Sequence, residues 1–470
     1  MRFIQTEFYL FFFLLLICLY IFSDNNRIRK SILIFANYYF YAYWDWRFLG
    51  LIIITSFSDY TVGKALSKSN STSFRKLLIT ISILINLCIL AGFKYCNFFI
   101  HSLNLILEPF NFDLSTLPII LPLGISFYTF RTLTYTIDVY RKKIEPCSNF
   151  LDYAIFVSFF PTMVAGPIVR ASELLPQLQC TTALKYIHIL YGLKLFVVGA
   201  FLKIFVADGL APFTNTVFDN IAVFSSLTIW LASLSYSIQL YSDFAGYSMM
   251  AIGISKAMGY DIPKNFDFPY LSTSISEFWK RWHITLSNWV RDYIYISLGG
   301  NRKGKIRTYS NLIFSMILCG LWHGAAWTFA FWGFYHGVAL VINHVWRLIP
   351  KHRNVDKEVI TPLKELSSHF ITLLTVIVGW VFFRADGFGN ALIAVNKMFY
   401  PVSGVVWYYP FSIFIILSFI IIHFIKSSRV GDCLDIPIKA WYAPAFLFCM
   451  IWLCLVFGPK EFTPFIYSQF

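Results

Sequence analysis

The chain has 470 residues, of which 58% are hydrophobic and only 13% charged, and its mean hydropathy is +0.64. Soluble domains carry about a quarter charged residues, so this chain cannot cover a globular surface in water. Disorder, collagen, coiled coil and a secreted disulfide scaffold fall to the same numbers. The 51 Phe, 28 Tyr and 14 Trp sit in long continuous apolar runs, not in short alternating strands. The class is an all-α polytopic integral membrane protein with aromatic interface belts, not a porin.

The net charge of +14 lies mostly in short loops between apolar runs. That placement follows the positive-inside rule and contact with anionic headgroups, so the partner it implies is the lipid bilayer and not nucleic acid. The nine Cys show no CxxC pair and no zinc-type spacing, and several lie in apolar runs as small hydrophobes. Neither a disulfide framework nor a metal site follows. The first run, 8–23, lacks a strong basic flank and an A-x-A site, and is read as a retained span instead of a signal peptide.

A span needs about 20 apolar residues. Candidate spans are 8–23, 31–45, 48–63, 77–94, 118–140, 186–206, 228–255, 309–325, 328–347, 367–383, 408–425 and 441–458. The apolar stretch 150–169 is broken by Pro161, Gly166 and Pro167, and is expected as a re-entrant or buried segment. Basic clusters at Arg27 to Lys30, Lys64 to Lys76, Arg141 to Lys143, Lys256 to Arg307, Arg347 to Lys364 and Lys426 to Arg429 alternate with these spans. They are expected to be cytoplasmic, which puts both termini outside the cell membrane. The whole chain, 1–470, reads as a single membrane domain with its core motifs at about 118–347.

The segment between the 228–255 and 309–325 spans is the longest such connection. Ser274 and Glu277 have the spacing of a capping box. From there Ile275, Phe278, Trp279, Trp282, Leu286, Trp289, Val290 and Tyr293 recur at helical spacing. The plain expectation is one amphipathic helix in the cytoplasmic interface, ending at Leu298-Gly299-Gly300-Asn301. His283 on its apolar face would then need a partner.

From Thr308 to Trp346 there is no Asp, Glu, Lys or Arg. A continuous helix of that length would reach about twice the hydrocarbon thickness, so the run must fold back. The natural break is Gly320-Leu321-Trp322-His323-Gly324. An ionisable side chain at membrane depth usually faces a cavity and a function, and glycine neighbours let a substrate or another backbone approach. The alternative is a histidine bonded to a helix carbonyl. His336, His344, His369 and His423 also lie in apolar runs, where structural roles are expected. Asp243 stands deep in the 228–255 run, as a buried pair, a helix-break contact or a proton site. Arg131 and Asp138 share one helix and suit neighbouring partners. Arg170 closes Ala165-Gly166-Pro167-Ile168-Val169-Arg170, where an arginine can grip phosphate or carboxylate.

Taken together, Phe278-Trp279-Lys280-Arg281-Trp282-His283, Arg291-Asp292-Tyr293-Ile294-Tyr295-Ile296, Leu298-Gly299-Gly300-Asn301-Arg302 and Gly320-Leu321-Trp322-His323-Gly324 resemble the membrane-bound O-acyltransferase family, in its alginate O-acetyltransferase branch. Pro122 to Phe127, Ala165 to Arg170, Asp243 to Ser248 and the closing Pro464 to Tyr467 are similar to the same branch. The resemblance implies a ring of about 10–12 tilted transmembrane helices, with re-entrant or interfacial helices around a central tunnel. It implies His323 as the catalytic residue and His283 as its companion; Trp279, Arg281, Trp282, Arg170, Asp243 and Trp322 are expected as substrate-binding residues. It also implies transfer of an acyl group, acetyl above all, from a cytoplasmic thioester donor (acetyl-coenzyme A or an acyl-carrier thioester) with no bound cofactor. The acceptor would be an extracytoplasmic polysaccharide or an acetyltransferase partner protein, and the site of action the bacterial cytoplasmic (inner) membrane.

The residue chemistry suits that reading. A hydroxyl is a poor nucleophile at neutral pH and needs a positioned base, and an imidazole titrating near pH 6.5 is fitted to the task. His323 is expected as that base, and His283 as the group that orients the donor or stabilises the oxyanion. A histidine-bound acyl intermediate stays open. So do two other functions: D-alanyl transfer to teichoic acid, and a transporter or scaffold in which His323 and Asp243 relay protons.

Overall fold

A computed structural model describes residues 1–180, 184–349, 362–427, 440–459 and 465–466. Most of the Arg347–Lys364 loop, Arg429, the His423 side chain, and Pro464 and Tyr467 of the closing motif lie outside the described residues. The described chain is all helix apart from its connections, as the composition requires. Its helices pack as two compact units, one formed by 1–196 with 248–263 and the other by 197–247 with 264–470.

The first unit holds α1 (Thr6–Ile21), α2 (Asn26–Asp45), α3 (Leu49–Lys68), α4 (Thr72–Leu90), α5 (Cys96–Leu107), α6 (Ile125–Tyr140), α7 (Phe150–Ser158), α8 (Ala171–Gln179) and most of α9 (Tyr186–Phe201). In an apolar medium, polar side chains must find each other, and here they tie three helices. Ser82 and Asn86 of α4 donate to the Asp59 carboxylate of α3 at 2.6 and 2.9 Å, and Thr132 of α6 donates to Asn86 at 2.8 Å. Such bonds contribute about 0.6–2 kcal/mol each within a membrane bundle.

The proline-broken stretch is buried, as expected. Pro161 ends α7 and leaves carbonyls without helical partners. The buried Arg131 guanidinium of α6 donates to the carbonyls of Phe156, Val157 and Phe159 at 3.3, 3.1 and 3.4 Å, and to Thr162. Asn37 of α2 accepts the Phe160 N–H at 3.0 Å. Asp138, on the same helix as Arg131, stands 3.8 Å from Lys143.

The second unit holds α10 (Asp208–Asp219), most of α11 (Ser226–Ala257), α12 (Ile275–Arg281), α13 (Ile284–Trp289), α14 (Lys305–His323), α15 (Trp327–Leu348), α16 (Pro362–Arg384), α17 (Phe388–Phe399), α18 (Pro410–Ser427) and α19 (Ala443–Phe457). The uncharged run does fold back at the glycines, between α14 and α15. Gly324 admits the Phe329 ring, 2.1 Å from where its Cβ would be, and Gly320 and Gly333 admit backbone. A Cβ on Gly320 would stand 2.1 Å from the Phe329 carbonyl, and one on Gly333 2.2 Å from that of Met316.

Several features differ from the sequence reading: the expected 118–140 span is helical only from Ile125, and α8 lies outside every expected span. The interfacial helix expected from Ser274 onward is broken: α12 ends at Arg281, α13 starts at Ile284, and a π-helical turn follows over Val290–Tyr295. Its apolar residues Phe278, Trp279, Trp282, Leu286 and Trp289 are buried against protein. Helix α17 was not expected, because its twelve residues are too short to register as a span. Its Lys397 donates to the carbonyls of Ile221, Ala222 and Phe224 at 3.0, 2.7 and 2.7 Å.

Among the described residues three helical stretches are long and apolar enough to cross a membrane on length and composition, at 72–110, 186–219 and 363–384. Other long helices, such as α3 and α11, carry charged side chains turned into protein: Asp59 and Asp243 are almost wholly buried.

Candidate active site

The site is built in the second unit from the α12–α13 break and the α14–α15 hairpin. Residues 264–267 brace the break. The Asp267 N–H donates to the Arg281 carbonyl at 2.9 Å, and the Ile284 N–H to that of Asn265 at 2.8 Å, while Thr285 donates its hydroxyl to the Asn265 side chain at 2.8 Å. At the start of α12 the Ser274 hydroxyl accepts the Glu277 N–H at 3.3 Å, as the capping box predicted. The return arm goes elsewhere: Glu277 accepts the N–H and hydroxyl of Thr273, each at 3.0 Å. Burial alone would raise the Glu277 carboxyl, but these donors and Arg281 outweigh it and hold it below the usual carboxylate range.

At the break His283 takes a left-handed backbone, φ +41° and ψ +56°. Its own imidazole makes the turn possible, because Nδ1 accepts the Leu286 N–H at 3.3 Å and so caps α13. A neutral imidazole that accepts through Nδ1 carries its proton on Nε2. His283 is fully buried, and Nε2 has no hydrogen-bond partner among the described residues. In this connecting segment between α11 and α14, burial pulls the imidazole well below its usual range, to about 3, and keeps it neutral.

His323 is the last residue of α14 and is 2% exposed. Its neighbour Trp322 joins it to His283: the Trp322 ring centre lies 6.0 Å from the His283 ring and 5.0 Å from the His323 ring. Phe244 packs edge-on to His283 at 4.6 Å, and Trp332 and Phe383 stand 5.2 and 5.5 Å from His323. Two imidazoles on elements separated in sequence thus each contact one indole inside an aromatic enclosure.

The other expected site residues are distributed more widely. Trp279 is buried against Trp332 and His336, at 5.6 and 5.2 Å, and lines a cavity of 380 Å³ together with Met316, Cys319, Arg291 and Arg347. Trp282 is fully buried between Phe266 and Trp380, 5.1 and 4.8 Å away. Arg281 is partly exposed and pairs with Glu277 at 2.8 Å. Asp243 bonds Lys203 at 2.5 Å, and its other oxygen accepts the Ile466 N–H at 2.9 Å. Lys203 also binds Asp208 at 2.8 Å, within a π-helical turn at Leu202–Ala207. Arg170 belongs to the first unit, where its N–H donates to Glu173 at the start of α8 at 3.0 Å. Sequence reasoning passed over Lys203, and took in Phe244 only as part of the Asp243 to Ser248 motif, not as a neighbour of His283. It also passed over the placing of His336 beside Trp332, although their four-residue spacing on α15 was the available signal.

Comparison with known proteins bears on the family. The profile of the MBOAT, membrane-bound O-acyltransferase family, matches residues 38–363. The chain is 40% identical to the "Probable alginate O-acetylase AlgI" of Azotobacter vinelandii, over 84% of this chain and 77% of that protein. It is 34% identical to a peptidoglycan O-acetyltransferase of Helicobacter pylori, over 94% of this chain and 85% of the relative. A teichoic acid D-alanyltransferase of Streptococcus thermophilus is 34% identical over 58% of this chain and 70% of its own length. The chain therefore belongs to the membrane-bound O-acyltransferase family, as a multi-pass membrane acyltransferase close to the alginate O-acetylases.

Proposed function

We propose that the chain passes an acetyl group from a cytoplasmic thioester, on coenzyme A or a carrier protein, across the bacterial inner membrane. The acceptor is a hydroxyl of an extracytoplasmic polysaccharide, or of a partner protein that hands the group on. The observation that carries this reading is the pair of buried imidazoles sharing Trp322, one of them with an unpartnered nitrogen.

In this reading His323 takes the proton of the acceptor hydroxyl as its oxygen attacks the thioester carbonyl carbon. The C–O bond forms, the C–S bond breaks, and the imidazolium returns the proton to the departing sulfur. The C-terminal end of α14 presents the negative pole of its backbone dipoles to His323, which favours the transient cation. His283 donates its Nε2–H to the oxyanion, a contact that gains strength as charge develops. Trp279, Trp282 and Trp322 wall the reacting group from water, while the Arg281–Glu277 pair holds the helix that carries Trp279, and the Asp243–Lys203 pair anchors the α11 segment whose Phe244 packs on His283. Arg170 is a candidate for holding an anionic group at the first unit.

D-alanyl transfer is the second reading, and the shorter reach of the match to the teichoic acid relative weighs against it. Mass spectrometry of envelope polysaccharides from wild-type and deletion strains tests the choice. Ester-linked acetyl groups lost on deletion support the proposal. Loss of D-alanyl esters with acetylation intact would overturn it, and unchanged polymers with altered solute movement would point to transport.

A further inference from the structure

His336 of α15 is fully buried, and neither of its ring nitrogens has a hydrogen-bond partner among the described residues. Its neighbours are aromatic: the Trp332 ring lies 4.9 Å away, the Trp279 ring 5.2 Å and the Phe278 ring 6.4 Å. On the α16 side only a glycine fits, since a Cβ at Gly379 would stand 2.7 Å from His336 Nε2. If packing were the sole requirement, phenylalanine or leucine would fill this space without burying unsatisfied polar atoms, which cost about 1–3 kcal/mol each. The indole Nε1 atoms of Trp279 and Trp332 are likewise buried without a hydrogen-bond partner. Three polar side chains in mutual contact therefore hold unused hydrogen-bonding capacity.

Their surroundings indicate what the capacity serves. Trp279 lines the 380 Å³ cavity, and so does Cys319, one turn before His323 on α14. Trp332 touches both His336 and His323, at 4.9 and 5.2 Å. The cluster thus stands between a cavity and the proposed base. We propose that His336, with the indole N–H groups of Trp279 and Trp332, forms a ligand-binding donor cluster that takes a carbonyl oxygen of the acyl donor's thioester-bearing amide arm. That arm is common to coenzyme A and to a carrier protein, and the inference rests on the thioester-donor reading above.

Full-length protein in lipid nanodiscs would be titrated with acetyl-coenzyme A and, separately, with an acetylated acyl carrier protein. The variants are His336→Phe, which keeps an aromatic ring, His336→Gln, which restores a polar group, Trp279→Phe, which removes the indole N–H donor and keeps a smaller aromatic ring, and His323→Ala. Wild type and His323→Ala are expected to bind one of the two donors, and which one identifies its source. His336→Phe should weaken that binding about tenfold or more, with His336→Gln between the two and melting temperature held or raised. Trp279→Phe should weaken it in the same direction, and carries the test if His336→Phe fails to fold. Wild-type affinity in both His336→Phe and Trp279→Phe would overturn the cluster while leaving the thioester reading intact. Failure of wild type to bind either donor would overturn that reading, and this inference with it.

Discussion

At His283 the backbone enters the left-handed region with a residue that seldom adopts it, and the side chain that caps α13 is the one whose Nε2 is left over. This double use decides which substitution is informative. Leucine would remove the cap and the nitrogen together and so confound stability with chemistry. Asparagine tolerates a left-handed backbone and caps helices, so His283→Asn should keep the break while withdrawing Nε2. Transfer is expected to fall about 10²- to 10³-fold with membrane abundance unchanged, as read by ester content at matched expression. Combined with His323→Ala, it should cost little beyond the poorer single variant, because groups that act as a unit are not additive. Full activity in His283→Asn would return this residue to structure.

Helix elements were legible where physical limits were strict, and illegible where one residue changed the backbone. An uncharged run of twice the bilayer thickness had to fold back, and α14 and α15 do so at the expected glycines. Pro161 had to interrupt its stretch, and it does. The break inside the Trp-rich segment left no trace in periodicity, since Trp279, Trp282 and Leu286 keep helical spacing across it. An imidazole cap also lies outside the usual Ser, Thr, Asp and Asn vocabulary. Within the hairpin, Gly333→Ala would place a methyl group against the Met316 carbonyl. Overpacking of this kind costs about 1–3 kcal/mol, so the melting temperature of the purified protein should drop and abundance should fall in proportion to activity. A loss of activity at unchanged melting temperature would instead place Gly333 in the substrate path.

For the whole molecule, class and family were readable from composition and from the motifs around His283 and His323, whereas the partners of Asp243 were not. A lone carboxylate in an apolar run gives no sign of which distant lysine will meet it, and Lys203 lies on a π-helical turn that sequence does not announce. Orientation is predicted by the basic loops: the 256–307 segment faces the cytoplasm and both termini face outside. A single cysteine replacing Lys303 in a cysteine-free background should resist an impermeant outside reagent in intact cells and react once the membrane is opened. Labelling in intact cells would invert the topology. The central claim is that His323 is the base of an acyl transfer, and the ester content of the acceptor polymer measures it most directly. With His323→Ala at wild-type abundance, mass spectrometry should find polymer acetylation reduced about 10²- to 10⁴-fold. Acetylation near the wild-type level in that variant would contradict the account.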